Sequence, residues 1–446
     1  MPFISIYFVL FVLLLNFIYY CAPVKYRRIV LLGGSILYVA MCSGTAAWML
    51  IAAAAVSFLY GLWKPARKGT VIVVLILLLP MLCVRVFPDF MGAVGLSFYT
   101  LSLISYVIDI YRGELEPEKS FGRYLLFVTF FPKIVQGPIT RYESFSTSLY
   151  QDHFFDYREF TFGWQRILWG YFLKFVVADK AGIMVDTVYG NYRELQGVYI
   201  AVAAILYCIQ IYADFNGCIQ IVTGVAETFG IELPINFRQP YFADSIREYW
   251  RRWHISLSTW LRDYVYIPLG GNRKGKVRKY VNIMLVFAVS GLWHGNNITF
   301  WIWGLIHGLY QVLESFWQDT GRWYRKVITF MQLTFAFILF RAESLQHFAG
   351  LVKGLFATFN PEAVLNGDAY YRMGLSRLQT LPLICGIILM FAVDYLHERD
   401  VRIRDYIAGK PLPLRWSIYL LVVLFVVIFG TYGPAYAANQ FIYGQF

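Results

Sequence analysis

Ser290-Gly291-Leu292-Trp293-His294-Gly295-Asn296-Asn297 lies between two long apolar runs, near 281–293 and 297–316. Each run is a candidate membrane segment, so the stretch puts an imidazole at or near bilayer depth. A charge there is costly, and an ionisable side chain in that position is a functional-site candidate by default. Imidazole is also the side chain best suited to moving a proton near neutral pH.

Outward from this stretch the pattern repeats. Hydrophobic residues make up 59% of the 446-residue chain and charged residues 15%, against roughly 25% charged in ordinary soluble domains. A spanning helix needs about 20 mostly apolar residues. Further runs of that kind lie near 3–20, 29–43, 46–62, 70–87, 92–110, 162–178, 197–213, 326–341, 376–396 and 415–431. Several are short or carry Gly and Pro. They predict an all-α polytopic membrane protein with about ten to twelve passes, some broken or re-entrant, as one domain over residues 1–446. The first run has no small-residue cleavage site and no basic region before it, so it reads as a retained helix.

Lys25, Arg27 and Arg28 precede the second run, and Lys64, Arg67 and Lys68 follow the third. A hairpin basic at both ends places both ends in the cytoplasm, so the first helix starts outside. The net charge of +12 points to anionic headgroups or anionic substrates. No nucleic-acid motif accompanies it, which argues against a nucleic-acid partner. The cysteines, at 21, 42, 83, 208, 218 and 385, are scattered mostly within apolar runs without a CxxC. They read as small apolar residues, neither a disulfide frame nor a metal site.

From about 232 to 280 the chain changes character. Pro234, Pro240 and Pro268 punctuate it, and Arg247, Arg251, Arg252, Arg262, Arg273, Lys274, Lys276, Arg278 and Lys279 crowd it. Trp250, Trp253, Leu257, Trp260, Leu261 and Tyr264 recur at helical spacing on one stripe. Arg251, Ser258 and Arg262 fall on a flank, with Arg252, Thr259 and Asp263 on the far side. The stretch between Pro240 and Pro268 therefore reads as an amphipathic helix lying in the membrane interface, within an interfacial basic and aromatic segment at about 244–280. His254 sits at the border of its two faces. Pro268-Leu269-Gly270-Gly271-Asn272 is a turn, and the basic run 273–279 faces water or headgroups. The same arginines also fit a plain interfacial anchor.

Other polar groups interrupt apolar stretches: Gln210, Tyr212, Asp214 and Asn216 in one, Lys133 and Gln136 in Phe131-Pro132-Lys133-Ile134-Val135-Gln136-Gly137-Pro138. Each singly is explained by interhelical hydrogen bonding. As a set, with prolines and glycines, they suggest broken helices around a polar cavity. His294 and His307 lie thirteen residues apart, about 220° around a helix, so one helix cannot aim both at one ion. No Cys, Asp or Glu stands at ligand spacing from either, and no bound metal is expected. Soluble-enzyme signatures such as G-x-S-x-G, a Walker loop and H-E-x-x-H are absent from the sequence.

The stretch Glu248 to Asp263, continuing through Tyr266-Ile267-Pro268-Leu269-Gly270-Gly271-Asn272-Arg273, resembles the signature of the membrane-bound O-acyltransferase family. Gly291-Leu292-Trp293-His294-Gly295, with Trp303-Gly304 and His307-Gly308, is similar to its second block. Pro132-Lys133 through Gln136-Gly137-Pro138-Ile139 and Arg141-Tyr142 resembles the upstream block, and Phe441 to Phe446 is like the close of bacterial members. The Pro-Leu-Gly-Gly-Asn-Arg turn places the resemblance nearer the alginate O-acetyltransferase branch than the teichoic acid D-alanylation branch. One departure stands out. Asp214-Phe215-Asn216-Gly217-Cys218-Ile219-Gln220 occupies the place of an Asp-Phe-Ser-Gly-Tyr-Ser-Asp pattern in alginate-type members, which weighs against alginate itself as acceptor.

The resemblance implies a ring of helices around a funnel or tunnel in a bacterial cytoplasmic membrane. It makes His294 the catalytic histidine and His254 the second histidine, on a cytoplasmic-side helix. A thioester donor, acetyl-coenzyme A or an acyl carrier's phosphopantetheine, would enter from the cytoplasm, with no bound cofactor. The acceptor would be an extracytoplasmic polysaccharide or a partner acyltransferase outside the membrane. A sugar hydroxyl is a poor nucleophile at neutral pH, and a neutral imidazole within hydrogen-bond reach accelerates its attack by about 10²–10⁴-fold. His294 is the expected base, and His254 is expected to orient or polarise the thioester. Asn296, Asn297, the Gly295 amide and His254 are candidate oxyanion donors. Arg247, Arg251 and Arg252 are candidates to hold a donor phosphate, and Ser258, Lys133, Gln136 and Asp214 are further candidate binding residues. The alternatives are D-alanyl or other acyl transfer to a teichoic acid-type polymer, and a non-catalytic export conduit lined by the histidines.

Overall fold

The computed structural model describes residues 2–63, 66–86, 95–316, 321–358, 361–362 and 369–432. Among these, every regular element is helical, in line with the apolar runs. Lys64, the end of the 70–87 run, the start of the 92–110 run and the closing block 441–446 lie outside the described residues. The described chain gathers into two compact units, one formed by residues 2–167 with 218–235 and the other by 168–217 with 236–432.

The first unit holds α1 (Ile6–Cys21), α2 (Val24–Cys42), α3 (Gly44–Leu62), α4 (Arg67–Val86), α5 (Leu96–Arg112), α6 (Phe121–Thr129), α7 (Phe131–Ile134), α8 (Tyr142–Tyr150) and the start of α9 (Tyr157–Phe172). Local chemistry sets several ends. Ser5 caps α1 by accepting the Phe8 amide at 3.2 Å. Pro23 holds Ala22 extended, at φ −73° and ψ 142°, and so stops that helix at Cys21. Ser43 ends α2 and caps α3 through the Ala46 amide, at 3.3 Å. The core is aromatic: Tyr106, Tyr124, Phe127, Phe130 and Phe131 are all buried, with the first two rings 4.5 Å apart. Arg28 pairs with Asp152 at 3.1 Å, and Arg27 donates to the Ala22 and His153 carbonyls. The basic pair of the orientation argument thus also ties down the loop after α8.

The second unit contains α10 (Asp179–Gly190), most of α11 (Val198–Thr228), α12 (Ile246–Arg252), α13 (Ile255–Leu261), α14 (Gly275–His294), α15 (Ile298–Glu314), α16 (Trp323–Arg341), α17 (Leu345–Ala357), α18 (Ala369–Arg372), α19 (Arg377–Glu398), α20 (Ile403–Ala408) and α21 (Leu412–Phe429). Among the described residues, five helices are long and apolar enough to cross a membrane: α3, α4, α11, α19 and α21. Side chains such as Leu420, Leu421, Leu424, Val427 and Ile428 of α21 are exposed, as a lipid-facing helix requires. The other apolar runs fold as shorter helices or carry more charge. α1 has 16 residues, for example, and α14 opens with Lys276, Arg278 and Lys279.

The stretch between Pro240 and Pro268 departs from the expected single amphipathic helix. It breaks at Trp253–His254 into α12 and α13, then widens into a π turn at Arg262–Tyr266. A short extended piece of chain causes the break. The Arg238 amide donates to the Arg252 carbonyl at 2.9 Å, and the Ile255 amide donates to the Asn236 carbonyl at 3.0 Å. These bonds pull the backbone out of the helical ladder, and His254 adopts φ 43°. The aromatic stripe is also differently placed. Trp250, Trp253, Leu257, Trp260 and Leu261 are buried within the protein rather than presented to the interface. Of the basic run 273–279, residues 273–278 are exposed and Lys279 is half-buried.

Candidate active site

His294 is the last residue of α14, and Gly295-Asn296-Asn297 turns the chain directly into α15. The two helices run antiparallel and cross on glycines. A Cβ at Gly304 would lie 2.2 Å from the Phe287 carbonyl oxygen, and one at Gly291 would lie 2.4 Å from that of Phe300. Only a residue without a Cβ permits this approach. The close crossing seats His294, 2% exposed, among three rings met nearly edge-on. Trp293 lies at 4.9 Å, Trp303 at 5.0 Å and Phe340 at 5.3 Å. Such a wall thins out water, and electrostatic interactions inside it are stronger than in bulk.

His254 is 1% exposed. Its Nδ1 lies 3.3 Å from Oδ1 of Asn236, the oxygen that also accepts the Ser256 amide at 3.1 Å and the Ser256 hydroxyl at 2.8 Å. A backbone amide can only donate, so this atom of Asn236 is the acceptor. Nδ1 of His254 therefore carries the proton, and in the neutral ring Nε2 presents the lone pair. Phe215 packs against the ring at 4.8 Å and Trp293 at 5.9 Å. Trp293 thus touches both histidines, which lie within mutual electrostatic range.

The arginines differ from one another. Arg252 is held by Glu248 and Glu398, each at 2.6 Å. Partial burial works against its charge, but the two carboxylates outweigh that and push the guanidinium above its ordinary range. Arg247 and Arg251 are exposed. Ser258 donates to the Trp253 carbonyl at 3.3 Å. Asn297 caps α15 through the Thr299 amide at 3.2 Å and donates to the Glu343 carbonyl at 2.7 Å. Its carboxamide therefore has helix-capping work, whereas Asn296 is exposed.

Asp214 accepts from Lys174 at 2.7 Å, and Lys174 also meets Asp179 at 2.9 Å. Lys174 is 1% exposed and stands in a π turn, Leu173–Ala178. This network anchors α11 one residue before Phe215, the ring against His254. Lys133 and Gln136 belong to the other unit. Lys133 is buried, donates to the Thr140 hydroxyl at 2.5 Å and sits 3.8 Å over the Phe127 ring. It lines a small cavity with Tyr99, Ser102 and Phe127. No three His, Cys, Asp or Glu side chains gather as a metal set among the described residues.

Two contributors escaped the sequence reading. Lys174 is a cation deep in the apolar run 162–178, which also holds Arg166, a signal of the same kind as His294. Asn236 lies in an irregular stretch between Pro234 and Pro240 that carries no periodicity to mark it.

Comparison with known proteins bears on this geometry. The profile of the membrane-bound O-acyltransferase family matches residues 114–352, a span that contains both histidines. The chain is 34% identical to a "probable alginate O-acetylase" of Pseudomonas fluorescens, over 71% of this chain and 62% of the relative. It is 33% identical to a peptidoglycan O-acetyltransferase of Helicobacter pylori, over 58% and 56%. A teichoic acid D-alanyltransferase of Bacillus subtilis is 27% identical, over 57% and 69%. The match covers 60 to 64% of the length of the alginate-type relatives from three Pseudomonas species.

Proposed function

Because this chain belongs to the membrane-bound O-acyltransferase family, we propose that it moves an acyl group, acetyl by preference, from a cytoplasmic thioester to a hydroxyl. The acceptor hydroxyl belongs to an extracytoplasmic cell-surface polysaccharide or to a partner acyltransferase outside the membrane. The observation that carries this reading is the pairing of two buried histidines against one indole, Trp293. Acetyl is favoured because two of the relatives named above are O-acetyl-transferring enzymes by name. The proposed location is a bacterial cytoplasmic membrane, a reading supported by the bacterial sources of the same relatives.

In this mechanism His294 is the general base. Its unprotonated imidazole nitrogen takes the proton of the acceptor hydroxyl as that oxygen forms a bond to the acyl carbon. The carbonyl π pair moves onto the acyl oxygen, then returns as the carbon–sulfur bond breaks. The departing thiolate takes the proton back from His294, which ends neutral. His254, its tautomer fixed by Asn236, faces the thioester and orients it. Arg247 and Arg251 hold the phosphate of the donor's coenzyme A or phosphopantetheine arm. Arg252 is left out of that role, because Glu248 and Glu398 already neutralise it.

The test is mass spectrometry of acyl esters released by mild base from surface polysaccharide. Cells lacking the protein are compared with cells restored by wild type or by His294→Ala. An ester that vanishes and returns only with wild type supports the proposal, and the released acid names the acyl group. An unchanged ester profile with altered polymer export overturns it in favour of a conduit.

A further inference from the structure

α15 presents two buried N–H groups that have no hydrogen-bond partner among the described residues. His307 is fully buried, and its Nδ1 accepts the Trp250 indole N–H at 3.3 Å. A ring that accepts at Nδ1 cannot be imidazolium, so it is neutral and its one proton sits on Nε2. That Nε2–H has no hydrogen-bond partner among the described residues. Four residues earlier on the same helix face, Trp303 is 2% exposed, and its Nε1–H likewise has no partner among them. The Trp303 ring lies between the two imidazoles, 5.0 Å from His294 and 4.8 Å from His307.

A buried donor left unmade costs about 1–3 kcal/mol, and buried indole N–H groups ordinarily find a partner. As N–H groups both can only donate, so whatever satisfies them must carry an acceptor atom. Beside a base poised for acyl transfer, the oxygen that gains charge during the reaction is the acyl carbonyl.

We propose that Trp303 Nε1–H, seconded by His307 Nε2–H, donates to the acyl oxygen and stabilises the oxyanion formed when the acceptor hydroxyl attacks. This rests on the acyltransferase reading and replaces Asn297 as a candidate, since that side chain is engaged in capping. The carbon–sulfur bond breaks as described above. Trp303 and His307 keep their protons throughout and only share them with the oxygen.

The test replaces Trp303 with β-(3-benzothienyl)alanine, which preserves the ring's shape and removes its N–H, alongside Trp303→Phe. Wild type, both variants and His294→Ala are purified in detergent and assayed for acetyl transfer from acetyl-coenzyme A. Binding of a thioether analogue of coenzyme A, which lacks the carbonyl oxygen, is measured by calorimetry. The expected result is a kcat about 10²–10³-fold lower in the isostere, with analogue binding unchanged. The isostere turning over like wild type overturns the proposal, as does analogue binding that falls in step with kcat. Absence of transfer by wild type would instead overturn the acyltransferase reading itself. If Trp303→Phe does not fold, the isostere alone decides.

Discussion

One oxygen, Oδ1 of Asn236, receives three donors, from His254, the Ser256 amide and the Ser256 hydroxyl. Removing it leaves those donors buried without an acceptor. Asn236→Ala should therefore destabilise the protein by about 1–3 kcal/mol. It should also lower transfer by freeing the tautomer of His254, and thermal melts with acetyl-transfer assays check both effects. Lys174 presents a harsher case, because it faces two carboxylates in the interior. Lys174→Met leaves uncompensated buried charge and should cost about 3–5 kcal/mol. The double variant Lys174→Met, Asp214→Leu should regain part of that loss in a melt. His294 was legible in the sequence because an ionisable group between apolar runs violates the cost of charge in lipid. Asn236 was not, since a neutral polar residue in an irregular stretch breaks no such rule.

At the scale of elements, the α14–α15 crossing fixes the position of His294 at the end of its helix. A side chain at Gly304 must displace the Phe287 backbone, and no rotamer avoids a Cβ 2.2 Å from that carbonyl oxygen. Gly304→Ala should thus cost about 1–3 kcal/mol, as overpacking does, and reduce transfer beyond the loss of folded protein. Melts and the specific activity of the folded fraction check it. The loop after α5 gives a pH signature. Burial pushes the Glu118 carboxyl up, but the Tyr142 hydroxyl, the Ser120 amide and Arg123 outweigh it and hold it below the ordinary glutamate range. A depressed carboxyl contributes stability above its unfolded pKa, about 4.3. That contribution is lost as pH falls through the folded value. Melts of wild type and Glu118→Gln should therefore differ at pH 7 and converge in acid. The helical spacing of Trp250, Trp253, Leu257, Trp260 and Leu261 correctly marked an apolar stripe, yet one helix was the wrong element. Backbone bonds from residues 236 and 238 compete with the helical ladder at Trp253–His254, and periodicity within 244–264 contains nothing about that distant partner.

For the whole molecule, composition and apolar runs were enough to give an all-helical membrane protein, because hydrocarbon admits a helix wherever the backbone must satisfy itself. The expected ten to twelve passes rest on runs that the structure divides unevenly. Five helices meet the length and apolarity of a span among the described residues. Others, like α1 and α15, are shorter, and hydropathy alone does not show where a helix stops. The proposed chemistry depends on a finer property, the unprotonated nitrogen of His294. The most direct measurement is transfer of radiolabelled acetyl from acetyl-coenzyme A or an acyl carrier thioester to polysaccharide by purified protein in nanodiscs. Wild type is compared with His294→Gln, a variant that keeps a polar side chain but cannot act as base. The account predicts transfer by wild type and a fall of about 10²-fold or more in a His294→Gln protein whose melting temperature is preserved. Wild-type transfer by folded His294→Gln would contradict it.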